Sequence, residues 1–331
     1  MNYIIEKESL SKWLESLSQK STLVVPVENE TGATCFEEFN GQSLFLSGRT
    51  DFSAKKFFLP TNEKMFFFRK KTLSYGISPN FPKGRLIAFG VRACDTHALN
   101  ALDHLFIKLL GDDCFYSARR KNSTIIALQC REACSSGFCA SMGCSKPTGH
   151  DILLAERPSG FIAQAITENG QTLLSAEFFK KTQDPFPEPS LECSKGLSTS
   201  GIEENLYANF NHPIWKKEAE RCLSCTSCTE ACPTCYCYSS SDCFEFGSGD
   251  SSRSRERDSC QLLRFSEVAG QHIFRPSRES RLRQFVLHKL SYYKKHFGTH
   301  LCVGCGRCID ACPVKIDITE IANKIQGDAK K

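Results

Sequence analysis

The sequence predicts an α+β domain over residues 1–200 followed by an all-helical domain over residues 201–331. Three observations predict it. Short β-branched and aromatic runs are interspersed with amphipathic stretches up to residue 166. A segment of linker composition follows, with Pro185, Pro187, Pro189, Gly196 and Gly201 among Ser and Thr between 181 and 204. Beyond it, apolar residues recur at helical spacing, interrupted by two dense runs of cysteine.

Taken in order, Met1–Lys20 reads as an amphipathic helix rather than a signal peptide. Leu10, Trp13, Leu14 and Leu17 repeat at helical spacing, and acidic residues interrupt any apolar core. Thr22–Val27 is a β-branched run. Phe57–Leu59 and Met65–Phe68 read as short strands around a turn at Pro60–Asn62. Arg85–Val91 is an apolar strand, and a helix from Thr96 to Leu110 carries Leu99, Leu102, Leu105, Phe106 and Leu109 on one face. Thr124–Gln129 is a further strand running into Cys130. Asp151–Ala155 and Phe161–Ile166 form a hairpin turning at Pro158–Gly160. In the second domain, one helix starts at Pro213 and leads into Cys222. Residues 238–256 are Ser-rich and read as a loop. A helix spans Glu279–Phe297 with Ser277 as its cap, and the last begins at Asp317 with Glu320 completing a capping box.

Composition narrows the function classes. The chain has 331 residues, 40% hydrophobic and 24% charged, so it can bury a core. No apolar run approaches the roughly 20 residues needed to span a bilayer. A soluble, cytoplasmic protein is expected. The 20 cysteines are the dominant anomaly. In a chain of this size without an export signal, clustered thiols point to metal rather than disulfides.

The first cysteine run is Cys222-x2-Cys225-x2-Cys228-x3-Cys232-Pro233, and the second is Cys302-x2-Cys305-x2-Cys308-x3-Cys312-Pro313. This spacing, seen twice, is the bacterial ferredoxin run. Three thiolates two residues apart wrap one corner of an iron–sulfur cubane, and the fourth leads away toward the other cubane. One [4Fe–4S] cluster is therefore assigned to Cys222, Cys225, Cys228 and Cys312. The other is assigned to Cys302, Cys305, Cys308 and Cys232. Zinc is the competing reading, but it takes four ligands, typically as two Cys-x2-Cys pairs or Cys with His. The second domain is thus expected to be an all-helical ferredoxin-type dicluster domain, with 69 residues from 233 to 301 between the runs. Each cluster with four thiolates carries roughly −2, so two clusters bring the formal charge of +5 close to neutral; the overall charge then says little about nucleic acid, and no nucleic-acid partner is expected. Residues 251–300 hold 11 Lys and Arg against 4 Asp and Glu, either a solvated helical face or a group (Arg275, Arg278, Arg281, Arg283) that docks an acidic partner or raises cluster potentials.

A second group of thiols follows the strand ends of the first domain. Cys94, Cys130, Cys134 and Cys139 are candidate ligands of a third [4Fe–4S] cluster, with Cys144 nearby. Buried inert thiols or a zinc site are the alternatives. Cys235, Cys237 and Cys260 read as packing residues near the main ligands, and Cys35, Cys114, Cys193 and Cys243 carry no assigned role. No Gly-x-Gly-x-x-Gly run and no P-loop is present, and no catalytic residue is assigned. The expected role is a non-catalytic electron-transfer subunit of an oxidoreductase complex. A structural or regulatory metal module and an enzyme acting at the N-terminal thiols are the alternatives.

Across nearly its whole length the chain resembles the beta subunit of soluble sulfhydrogenase-type [NiFe] hydrogenases and the corresponding dicluster subunit of anaerobic sulfite reductase. The stretches that carry this are Phe57-Phe-Leu-Pro-Thr-Asn-Glu63, Phe89-Gly-Val-Arg-Ala-Cys-Asp95, Gly137-Phe-Cys-Ala-Ser-Met-Gly143, Pro233-Thr-Cys-Tyr-Cys237, Arg255-Glu-Arg-Asp-Ser-Cys-Gln261, Ala269-Gly-Gln-His272 and the second cysteine run. The resemblance implies a relay between a flavin subunit that handles NAD(P)H and a catalytic hydrogenase or sulfite reductase subunit. The family usually reads Arg-Pro-Cys-Asp where this chain has Arg92-Ala-Cys-Asp95, and Cys-Phe-Cys where it has Gly137-Phe-Cys139. A family-like third site here requires Cys134 to supply the sulfur missing at 137.

Overall fold

The computed structural model describes residues 1–72, 74–109, 111–188 and 191–328. Leu110 and Pro189, named in the predicted helix and linker, lie outside them.

The N-terminal part is built on one eight-stranded mixed sheet. Its strand order is Lys180–Thr182, Asn2–Glu6, Gly160–Ala165, Ile152–Arg157, Ser123–Leu128, Leu86–Val91, Thr22–Glu28, Thr34–Glu38. The middle of the sheet is parallel, Thr22–Glu28 beside Leu86–Val91 beside Ser123–Leu128 beside Ile152–Arg157, and antiparallel strands flank it. Parallel strands are covered on both faces, which is why these segments are continuously apolar. Leu23, Val25 and Val27 face the helix Lys7–Ser18 through Leu10, Trp13, Leu14 and Leu17. Val24, Ala88 and Ile125 face the other side, packing with Leu99, Leu102, Phe106 and Tyr116.

Several elements differ from their sequence-based expectation. Asn2–Glu6 is a strand, and the helix begins only at Lys7, because the alternating Tyr3 and Ile5 side chains pack into the sheet core. Lys55–Phe58 is a helical turn rather than a strand, and Asn62–Lys70 is a long strand. The helix Ala93–Asp103 widens into a π-helical turn at His104–Leu109.

The larger correction concerns the second half, which is not all-helical. Tyr238–Phe244 and Ser251–Arg257, expected as a loop, are two strands. They join Asn62–Lys70 and Tyr75–Pro79 in a four-stranded antiparallel sheet. The sequence hides them because serines have weak strand preference and the decisive partner lies nearly 200 residues away. That partnership is held by buried Arg255, whose guanidinium donates to Glu63 and Asp113, both at 2.6 Å. The remainder is helical: Ile214–Arg221, Arg278–Leu287, a π-helical turn His288–Tyr292, Tyr293–Phe297 and Ile318–Asp328. Ser277 caps its helix by accepting from Ser280 N–H. Trp215, Leu282, Phe285, Val286, Ile321 and Ile325 form the core that these helices share.

Candidate metal centres

The two cysteine runs have the same local architecture. Cys222 ends the helix Ile214–Arg221 in extended conformation, and Cys228 lies in the short helix Ser227–Ala231 that ends at Cys232. In the second run Cys308 lies in the helix Arg307–Asp310. Between the first three cysteines the chain turns through left-handed conformations, at Ser224 (φ 52°) and Thr226 (φ 68°) in one run, Gly304 (φ 68°) and Gly306 (φ 75°) in the other. These turns aim backbone amides at sulfur. Ser224 N–H donates to Cys222 Sγ and Gly304 N–H to Cys302 Sγ, each at 3.4 Å. Ile316 N–H donates to Cys312 Sγ at 3.3 Å.

Two adjacent cavities lie between the runs. Cys222, Cys225, Cys228 and Cys312 line the first, closed by Leu282, Phe285, Ile316 and Ile318. Cys302, Cys305, Cys308 and Cys232 line the second, closed by Phe138, Val303, Phe285 and Ile318. Cys308 also borders the first cavity, so the two share a wall. Each triplet thus meets the fourth cysteine of the other run. Burial pushes the Cys228 thiol up to about 12, and the neighbouring thiols Cys222, Cys232 and Cys312 add to it. Cys302, Cys305 and Cys308 are raised chiefly by burial as well. Cys225 differs: it is exposed, and a hydrogen bond with Ser227 Oγ (3.3 Å) lowers its pKa. Buried thiols of this kind ionise only when a cationic core compensates them.

Among the described residues no three His, Cys, Asp or Glu side chains converge on the position of one metal ion. The sulfurs instead surround cavities. Each cavity is lined by a triplet and the other run's fourth cysteine, with amides pointing at sulfur, and such a thiol donor set fits a cubane.

The N-terminal thiols gather at the ends of two parallel strands. Cys94 starts the helix after Leu86–Val91, and Cys130 follows Ser123–Leu128. Cys139 Sγ lies 3.8 Å from Cys193 Sγ, a residue with no assigned role in the sequence reading. Burial first, then Cys193, pushes Cys139 up to about 12. Cys94 is raised by burial and then by Asp95, and Cys130 by burial, with Cys134 among its neighbours. A Cβ placed on Gly137 would lie 3.2 Å from Cys134 O and 3.3 Å from its Cβ. Cys134 therefore occupies the space beside the position where the family usually has cysteine. Cys144 packs with Cys94, Val303 and Cys305 in one buried group.

This group abuts the second run. Gly304 O accepts from Phe138 N–H at 2.7 Å, and a Cβ on Gly304 would strike Phe138 O and Cys139 Cα at 2.6 and 2.7 Å. Arg307, fully buried, donates to both Asp95 oxygens at 2.6 and 3.0 Å and approaches Cys94 Sγ at 3.8 Å. Sequence reasoning missed Arg307, Asp95, Lys55 and Lys289. Asp95 and Arg307 stand next to Cys94 and Cys308 in the sequence, whereas Lys55 and Lys289 carry no local signal, since burial of a charge is a tertiary property.

A family model described as a 4Fe-4S dicluster domain matches residues 221–316. Sulfhydrogenase 2 subunit beta of Pyrococcus furiosus is 31% identical over 347 aligned positions, covering 98% of this chain and 99% of the relative. The chain belongs to the sulfhydrogenase beta-subunit family. The matched dicluster segment contains every cysteine that lines the two cavities, and the family likeness extends through the N-terminal sheet. No solved structure matches the chain. Among the described residues no helix is long and apolar enough to cross a membrane.

Proposed function

We propose that the chain is the iron–sulfur electron-transfer subunit of a hydrogenase-type complex. One [4Fe–4S] cluster is held by Cys222, Cys225, Cys228 and Cys312, and a second by Cys302, Cys305, Cys308 and Cys232. The observation that carries this reading is the pairing of each triplet with the other run's fourth cysteine around one of two adjoining cavities. When bound, such clusters accept and release one electron at a time. The chain's own residues fix the sulfurs, direct amides at them and exclude water through Phe285, Ile318 and Leu282. Cys94, Cys130, Cys134 and Cys139 hold a third cluster beside the second cavity, with Cys193 as a further sulfur in reach of Cys139. The sequence carries no nucleotide-binding glycine run, so we assign hydride chemistry to a flavoprotein NAD(P)H-oxidoreductase subunit and catalysis to a hydrogenase subunit.

The test is anaerobic purification followed by iron and acid-labile sulfide analysis and low-temperature EPR of the reduced chain. The reading expects about eight irons for the two C-terminal clusters and about four more for the third. Fewer than about eight after full reconstitution, or zinc in their place, refutes it. Cys134→Ser should remove about four irons and leave the other clusters intact; an unchanged iron content refutes the third cluster alone.

A further inference from the structure

Two ammonium groups are buried on the Cys232 side of the second cavity. Lys289 is 3% exposed and Lys55 4%. Lys289 sits in the π-helical turn His288–Tyr292, a widened turn of the kind found at functional sites, and its Nζ lies 2.9 Å from Thr234 Oγ1. Thr234 Oγ1 is in turn 3.3 Å from Cys232 Sγ. Lys55, on the helical turn Lys55–Phe58, donates to the carbonyls of Cys232 at 2.7 Å and Cys235 at 3.0 Å. Among the described residues no carboxylate is ion-paired with either lysine. A buried cation without an anion is strongly disfavoured, so both lysines call for a negative charge at the cavity they flank. The anions within reach are thiolates and the net −2 unit they would hold.

The other cations near the second cavity are already compensated. Arg307 is paired with Asp95, and Arg49 with Asp310. Among the described residues, Lys289 is the one charged side chain lining the second cavity apart from the thiols, and none lines the first. At the first cavity's turn, Arg278 and Arg281 donate to Cys222 O at 2.8 Å and Ser224 Oγ at 3.3 Å. Arg278 is exposed, where solvent screens its charge, and Arg281, though buried, divides its guanidinium among Arg275 O, Pro276 O and Ser224 Oγ and lines neither cavity.

We propose that Lys55 and Lys289 are positioning residues for charge, holding the cluster of the second cavity at a higher reduction potential than that of the first. The inference rests on the two-cluster reading above. Reduction adds one negative charge to the cavity. An ammonium in the low-dielectric wall of the cavity favours that charge more than guanidiniums that line neither cavity do.

The experiment is an EPR-monitored redox titration of the full chain, purified anaerobically with its partner subunits, as wild type and as Lys289→Met, Lys289→Arg and Lys55→Met. One midpoint, the higher of the two C-terminal clusters in the wild type, should move to more negative potential in Lys289→Met. The same midpoint should move in Lys55→Met, while the others stay. Lys289→Arg should restore it. Equal displacement of all midpoints, movement of the lower one, or no movement overturns the proposal. If Lys289→Met binds iron incompletely, Lys55→Met and Lys289→Arg decide by the same criteria. A wild-type chain with fewer than about eight irons marks failure of the two-cluster reading instead.

Discussion

The two cysteine runs share spacing and backbone shape but stand in opposite surroundings. The first faces outward: Cys225 is exposed, Leu223 is exposed, and the cavity wall is apolar. The second is covered by the Ser136–Cys139 loop and flanked by buried Lys289 and Arg307. The same left-handed positions hold Ser224 and Thr226 in the first run but Gly304 and Gly306 in the second. Positive φ alone therefore does not demand glycine here. A Cβ on Gly306 would run into Ser136 O, and that contact does. The comparison teaches that the motif fixes ligand geometry, whereas the covering loop fixes which residues fill the turns between ligands.

The comparison breaks most severely at the cover. Asp95→Asn should destabilise the chain by about 3–5 kcal/mol in denaturant unfolding, because Arg307 is left charged and uncompensated in the interior. Asp242→Asn, which breaks an exposed pair with Arg253, should leave the same unfolding curve essentially unmoved. Acid should act next. Burial first, and Lys289 second, lower the pKa of His288 to about 4. A depressed histidine contributes stability above its unfolded pKa of about 6.5 and loses it as pH falls toward the folded value. About 2 kcal/mol should be gone by pH 5 and on the order of 3 below pH 4, a slope that His288→Gln should flatten in pH-dependent unfolding.

A smaller effect separates the turns themselves. Gly306→Ala should cost about 2–3 kcal/mol by forcing the covering loop away, read by thermal unfolding, whereas Thr226→Gly should stay within about 1 kcal/mol. The last test sharpens the contrast without changing stability. After metal removal, Cys225 should be the first of the eight thiols alkylated by iodoacetamide and Cys308 among the slowest, by roughly tenfold or more in mass-spectrometric time courses. Equal rates would mean that the two runs are equally open once metal is lost.

Much of the site is legible in the sequence because ligand spacing is local. Three sulfurs two residues apart need only a few turns of chain to face one point, and Pro233 and Pro313 mark where each run leaves. The central strands are legible for a similar reason: Leu86–Val91 and Ser123–Leu128 are apolar on both faces. What escapes depends on distant partners. Ser251–Arg257 looks like a polar loop until Asn62–Lys70 lies beside it, and Arg255 looks like surface charge until Glu63 and Asp113 surround it. Cys193 sits in a segment of linker composition, and only folding brings it to Cys139. Asn2–Glu6 merges with the following helix in the sequence pattern because its two core contacts, Tyr3 and Ile5, fit either period over so short a stretch.

The shared four-stranded sheet has a practical consequence for anyone cutting this protein. A fragment starting near residue 201 would carry Ser251–Arg257 with its Asn62–Lys70 side stripped bare, an open edge that invites self-association. Arg255 and Arg307 would lose Glu63, Asp113 and Asp95 in the same step. The cysteine-rich half is thus not a detachable electron carrier with a scaffold attached; it borrows its fourth wall from the other half of the chain.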